Sequence, residues 1–219
     1  MLIQGKHSQV KLHKEKIRVF KTYKDSSYVD NEYSALDFLA KQEIMNLNPI
    51  KESPYTISMD WIREAQSPET ETPENMNYLV INLASYLKTL HANSYKAHNL
   101  YITHEDLFLD NFLVCQNSNL LYFIDWGLSK KRDSVYPDIA SALLGAFNDC
   151  PEYYKLFLKE YFGSLQGVEF KLIQKYVLDL CQEYSLIREK NGFETDSLKL
   201  RLEKAQKTLV NLETGDFNG

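Results

Sequence analysis

The side chains whose types and spacing point most directly to chemistry lie in His104-Glu105-Asp106-Leu107-Phe108-Leu109-Asp110-Asn111 and in the later run Ile124-Asp125-Trp126-Gly127. Two acids, Asp106 and Asp125, and one amide, Asn111, stand at a spacing that suits phosphoryl transfer from Mg-ATP. In that chemistry Asp106 orients an attacking hydroxyl, while Asn111 and Asp125 hold the metal ions that offset charge on the phosphates. Side-chain oxygens are the ligands a hard cation such as Mg²⁺ prefers.

The intervening residues must bring these groups together. Phe112-Leu113-Val114-Cys115 is apolar, Gln116-Asn117-Ser118-Asn119 is polar, and Leu120-Leu121-Tyr122-Phe123-Ile124 is apolar again. Two apolar runs around a polar break predict a β-hairpin of two buried strands. A hairpin folds its ends together, so Asn111 and Asp125 are expected side by side on one edge of a cleft. Each residue alone has a plainer role. A His-x-Asp tripeptide is commonly a solvated turn, Asn111 a cap and Asp125 a strand-end acid. Yet carboxylates are rarely set at buried strand ends without a partner, and the joint spacing favours chemistry.

His-x-Asp-x-x-x-x-Asn, a hairpin, then an apolar residue, Asp, an aromatic and Gly resembles the catalytic and metal-binding loops of the protein-kinase-like superfamily. Glu105 and Phe108 stand where typical protein kinases carry Arg and Lys, and no Ala-Pro-Glu follows Asp125. The run Asp133-Ser134-Val135-Tyr136-Pro137-Asp138-Ile139-Ala140 is instead similar to the Asp-x-x-Tyr-x-Asp-Ile-Ala run of aminoglycoside phosphotransferases and their choline-kinase-like relatives. The resemblance implies an α+β, two-lobed protein-kinase-like fold. Its small β-rich N-terminal lobe, with one helix, would span residues 1–62, and its larger, mainly helical C-terminal lobe residues 63–219. It implies ATP and Mg²⁺ as cofactors, Asp106 as the catalytic residue and Asn111 and Asp125 as metal ligands. The acceptor would be a hydroxyl of a small molecule of amino alcohol, aminoglycoside or sugar type. A RIO-like Ser/Thr protein kinase and a nucleotide-binding pseudokinase scaffold are the alternatives. His104 is expected to brace the loop, Asp138 to anchor it or cap a helix, and Asp110 to face solvent.

By the same resemblance the N-terminal part supplies the nucleotide contacts. Gly5, Ser8 and Val10 fit a phosphate-covering loop between the first two strands, with a surface turn as the plainer reading. Lys21, amid apolar residues in a strand, needs an anionic partner and fits the phosphate-binding lysine. An edge-strand lysine facing water is the competing reading. Strand alternation puts Val19 on the face of Lys21, where it would line the adenine pocket. Glu32 is the candidate ion-pair partner of Lys21, with Asp30 and Glu43 as rivals. Met59 would border the pocket, while the Asp60 carbonyl and Ile62 N–H would bind adenine. Alternatively the strand simply ends at Asp60 and Trp61 packs in the core.

Among 219 residues, 44% hydrophobic and 25% charged, the composition is that of a globular protein able to bury a core without disulfides. A net charge of −5 argues against a nucleic-acid partner. Three dispersed cysteines read as reduced thiols, and neither a signal peptide nor a run of membrane-spanning length is legible, so a cytoplasmic protein is expected. Along the chain, strands are expected at residues 10–12, 17–23 and 55–60, a helix over 30–46 and a linker over 61–75. Helices should then run from about Met76 to residues 91–94 and over 138–147, 152–162, 169–183 and 195–212.

Overall fold

The computed structural model describes residues 2–4, 8–13, 17–68, 70, 72–115, 120–147, 150–190, 192 and 194–215. They divide into two compact units: Met1–Ser67, Thr89–His104 and Asp110–Arg132 in one, Pro68–Lys88, Glu105–Leu109 and Asp133–Gly219 in the other.

The first unit is built on a sheet of β1 (Leu2–Gln4), β2 (Ser8–His13), β3 (Arg18–Tyr23), β4 (Ile50–Ser53) and β5 (Thr56–Asp60). The strands run antiparallel in the order β1-β2-β3-β5-β4, so β3 is central. Lys21 is accordingly buried, which overturns the reading of a water-facing lysine on an edge. Pro54 and Tyr55 form the turn between β4 and β5, and β4 is a strand that the sequence pattern did not suggest. Helix α1 covers Ser26–Lys41, not residues 30–46. Asp25 sets its start by accepting the Ser27 N–H at 2.9 Å, an N-cap bond. Its end falls where Glu43 turns left-handed, at φ 55°. The amides of Ile44 and Met45 there fold back onto the Leu39 carbonyl.

The same unit holds β6 (Ala65–Gln66), β8 (Phe112–Cys115) and β9 (Leu120–Phe123) in a small sheet, and the pair β7 (Tyr101–Thr103) and β10 (Lys130–Arg132). β6 lies inside the expected linker. Strands of two or three residues carry no readable period, so β6, β7 and β10 were invisible in the sequence. The expected hairpin forms, with Phe112 opposite Phe123. It is fully buried only at that base, where the two rings meet edge to face with centroids 5.1 Å apart. Its outer residues are half-buried or exposed, a correction to the expected pair of buried strands.

Helix α2 (Pro73–His98) begins inside the expected linker, with Pro at its first position, where the missing N–H costs nothing. The second unit contains its first part, then α3 (Tyr136–Gly145), α4 (Pro151–Phe162), α5 (Phe170–Lys190) and α6 (Asp196–Thr214). α3 is buried on every side from Pro137 to Gly145, as an apolar helix at the centre of a helical group must be. α5 outruns its expected end at residue 183, because Arg188 and Lys190 in its last turn suit the negative end of the helix dipole. Cys115, Cys150 and Cys181 form no disulfide among the described residues. No helix among the described residues is long and apolar enough to cross a membrane.

Candidate active site

Strand pairing places Val10 opposite Lys21, Lys21 opposite Ile57, Val19 opposite Met59 and Ser8 opposite Tyr23. Directly paired residues point to the same side, so Ser8, Val10, Val19, Lys21, Tyr23 and Met59 share one face of the sheet. Gly5 lies outside the described residues. Ser8 opens β2 as a buried residue, and Val10 is within the strand.

Lys21 Nζ reaches Asp125 Oδ1 at 2.6 Å and Glu32 Oε1 at 3.3 Å. Glu32, only 1% exposed, also accepts the Tyr23 hydroxyl at 2.5 Å and the Trp126 backbone N–H at 3.4 Å. A buried carboxylate needs this many donors to remain charged. The rivals are resolved: Asp30 pairs with Lys51, and Glu43 sits in the turn after α1. Burial alone would lower the pKa of Lys21, but Glu32 and then Asp125 outweigh it and hold the ammonium above its ordinary value. Burial, then Glu32 and Asp125, drive the Tyr23 hydroxyl upward, so it acts as a permanent donor.

At the base of the hairpin the Ile124 N–H donates to the Asn111 carbonyl at 3.0 Å, so Asn111 lies against the residue that precedes Asp125. Asp125 is left-handed at φ 64°, and a 3₁₀ turn over Trp126–Leu128 follows. Trp126 is fully buried and fixes that turn by donating its indole N–H to the Phe123 carbonyl at 2.8 Å. His104 Nε2 lies 3.0 Å from the Ile124 carbonyl, which can only accept, so that nitrogen carries the proton. Its ring stands edge-on to Trp126 with centroids 4.4 Å apart, the bracing position expected of it. For the Asp125 carboxyl, burial pushes the pKa up, but Lys21 more than reverses this and the net shift is downward.

The donor set suits a hard cation. Asp125 engages Lys21 and Tyr23 through Oδ1, and Oδ2 has no partner among the described residues. With Asn111 it offers two oxygen-bearing side chains, while no group of three or more His, Cys, Asp or Glu gathers among the described residues. Mg²⁺ is commonly held in this way, by one or two protein ligands with phosphates and water completing the shell.

In the second unit, Asp106 sits in a loop held by side chains on one face of α3. Asp138 Oδ1 accepts the Glu105 N–H at 2.8 Å, and Ser141 Oγ accepts the Leu107 N–H at 2.8 Å. Positions 138, 141 and 145 recur at helical spacing. At the last of them a Cβ would come within 2.6 Å of the Leu107 carbonyl oxygen, so Gly145 permits the close approach. Glu105 is left-handed at φ 62°, a strained state for a residue with a side chain. Tyr184 on α5 donates to its carbonyl at 2.6 Å and lies 3.3 Å from Asp106 Oδ1. Asp110 is exposed, as expected.

Asp60 turns its carboxylate to the other sheet face, where Arg18 meets it at 2.8 Å and Asn48 at 2.5 Å. Ile62 is half-buried; Trp61 is exposed, against the reading that it packs in the core. Sequence reasoning named Trp126 as the aromatic after Asp125 but missed Tyr23, Ser141, Gly145 and Tyr184. Only Tyr23 left a signal, two residues from Lys21 and hence on the same face.

These elements define the protein-kinase-like fold, a small antiparallel sheet with one helix followed by a mainly helical part. No protein-family model matches the chain, and no curated protein matches it in sequence. Solved structures do match. A choline/ethanolamine kinase family protein from Mesorhizobium loti shares 14% identity at TM-score 0.66, over 98% of this chain and 92% of its own. Choline kinase LicA from Streptococcus pneumoniae shares 17% at 0.67, over 95% and 92%. Aminoglycoside 2'-phosphotransferase-IIIa, solved with GDP, shares 14% at 0.65, over 96% and 91%. The fold is thus the form of the protein-kinase-like architecture that choline/ethanolamine kinases and aminoglycoside phosphotransferases share.

Proposed function

We propose that this protein is an ATP- and Mg²⁺-dependent phosphotransferase that moves the γ-phosphate to a hydroxyl of a small molecule of amino alcohol, aminoglycoside or sugar type. The observation that carries the reading is the linked set Lys21, Glu32 and Asp125, drawn from a strand, a helix and the end of a hairpin. A lysine fixed by a helix glutamate, beside a half-exposed aspartate, is the arrangement that phosphate and metal binding require.

In this reading Lys21 steadies the α- and β-phosphates, with Glu32 and Tyr23 holding its position. Val10, Val19 and Met59 line the adenine, and the main chain at Asp60 and Ile62 hydrogen-bonds it. Gly5 and Ser8 cover the phosphates. Asn111 and Asp125 hold Mg²⁺, which when bound neutralises charge on the transferring group. Asp106 accepts the acceptor's hydroxyl proton and orients its oxygen. A small-molecule acceptor is supported by the segment after Asp125, in which a single 3₁₀ turn and β10 lead to α3 with no peptide-docking loop. Three dispersed cysteines outside any disulfide support a cytoplasmic location.

The test is thermal stabilisation by ATP with and without Mg²⁺, followed by transfer of labelled phosphate to amino alcohols, aminoglycosides, sugars and protein acceptors. Transfer to a small hydroxyl compound upholds the proposal. Transfer to proteins alone replaces it with the RIO-like alternative, and Mg-independent nucleotide binding without transfer replaces it with the pseudokinase.

A further inference from the structure

We propose that Tyr184 is a positioning residue for Asp106, setting both the direction and the charge of its carboxylate; this rests on the phosphotransferase reading. The sequence marks Tyr184 as one more polar-tipped aromatic near the end of α5. In the fold its hydroxyl lies 2.6 Å from the Glu105 carbonyl and 3.3 Å from Asp106 Oδ1. One proton serves two acceptors, the carbonyl by the short bond and the carboxylate by the longer one. The Ser141 hydroxyl accepts the Leu107 N–H on the other side of Asp106. Side-chain bonds therefore hold the main chain on both sides of Asp106, Tyr184 on the Glu105 carbonyl and Ser141 on the Leu107 N–H.

The loop needs such a clamp. Glu105 is left-handed, and both of its main-chain polar groups are claimed by side chains, the N–H by Asp138 and the carbonyl by Tyr184. Without the second bond the Glu105 carbonyl loses the side-chain donor that reaches it from α5. The ring of Tyr184 also meets Phe108 edge-on with centroids 5.4 Å apart, so its orientation is set independently of its hydroxyl. Burial, then the charge of Asp106, hold the Tyr184 hydroxyl well above its ordinary pKa, so it stays a donor across the working range. A neutral donor on a carboxylate favours the charged form and keeps Asp106 ready to accept a proton. Glu105, Asp138 and Glu183 are titratable groups that also act at this cluster.

Tyr184→Phe removes the hydroxyl and keeps the ring. Two measurements read the result: steady-state kinetics, and the ¹³C titration of the Asp106 carboxyl, assigned with Asp106→Asn. The expected result is a kcat roughly tenfold lower with the KM for ATP unchanged, and an Asp106 pKa higher by about half a unit to one unit. The acidic limb of the kcat profile should move up by the same amount. An Asp106 titration identical in Tyr184→Phe and the parent overturns the inference, as does an unchanged kcat profile. If the parent protein shows no transfer to any acceptor, the phosphotransferase reading fails, while the titration still decides whether Tyr184 governs Asp106.

Discussion

Lys21 Nζ lies 2.6 Å from Asp125 Oδ1 although 104 residues separate them in the chain. The contact joins the centre of one sheet to the end of a hairpin and fixes what the first unit can do. Its two partners differ in exposure: the Lys21 side chain is 8% exposed and that of Asp125 44%. The lysine is therefore a fixed feature of the interior, while the aspartate keeps one side toward solvent and any incoming ion.

Replacing Lys21 by Met leaves Glu32 buried with only the Tyr23 hydroxyl and the Trp126 N–H as donors. Stripping one partner from a buried ion pair costs about 3 kcal/mol, which urea unfolding should register. Phosphoryl transfer should fall by about 10²-fold or more, the scale of a lost electrostatic contact in a reaction site.

Asp125 gives the protein an acid-sensitive element. Its carboxyl is held below the ordinary 3.8, so the stability it contributes is complete above that value and disappears as pH falls through the lower folded value. Melting temperatures between pH 6 and pH 2 should drop more steeply below about pH 4 in the parent than in Asp125→Asn. Parallel curves would show that the ion pair is not coupled to folding.

Chelation should expose the metal requirement. With EDTA present, ATP should stabilise the protein less than in excess Mg²⁺, and Asp125→Ala should abolish that difference. Asn111→Ala should reduce it, since an amide oxygen is the weaker of the two ligands. An Mg²⁺ effect that survives in Asp125→Ala would place the ion elsewhere.

Asp106→Asn preserves shape and removes the proton acceptor. Transfer should fall by about 10²- to 10⁴-fold, the usual contribution of general-base catalysis, with ATP affinity unchanged by calorimetry. A matching loss of ATP affinity would mean that Asp106 serves binding.

Gly145→Ala tests the seat of the Asp106 loop without touching any reactive group. The new methyl would meet the Leu107 carbonyl oxygen at 2.6 Å, and backbone cannot swing aside as a flexible side chain would. Overpacking of this kind costs about 1–3 kcal/mol. The variant should melt lower and transfer more slowly, with nucleotide binding retained.

The hairpin was legible because two apolar runs around a polar break are a local pattern, and its closure sets Asn111 against Ile124, the residue before Asp125. The partner of Lys21 was not legible to the same degree. Three acids lay at plausible positions in and after α1, and only packing chose Glu32, by sending Asp30 outward to Lys51 and ending the helix before Glu43. Of the clamp around Asp106, only Asp138, expected to anchor the loop or cap a helix, left a sequence trace. Ser141, Gly145 and Tyr184 are residues of ordinary type within helices, and their meaning comes from which side of each helix the core turns toward the loop.

The sequence by itself determined the reactive groups, their spacing and the strands and helices that carry them, because side-chain chemistry and hydrophobic period are local properties. Tertiary structure decided which charges pair, which backbone amides are held and which side of Asp125 remains open to a ligand. Those are outcomes of burial, and burial depends on every element that packs against a residue, however distant in the chain.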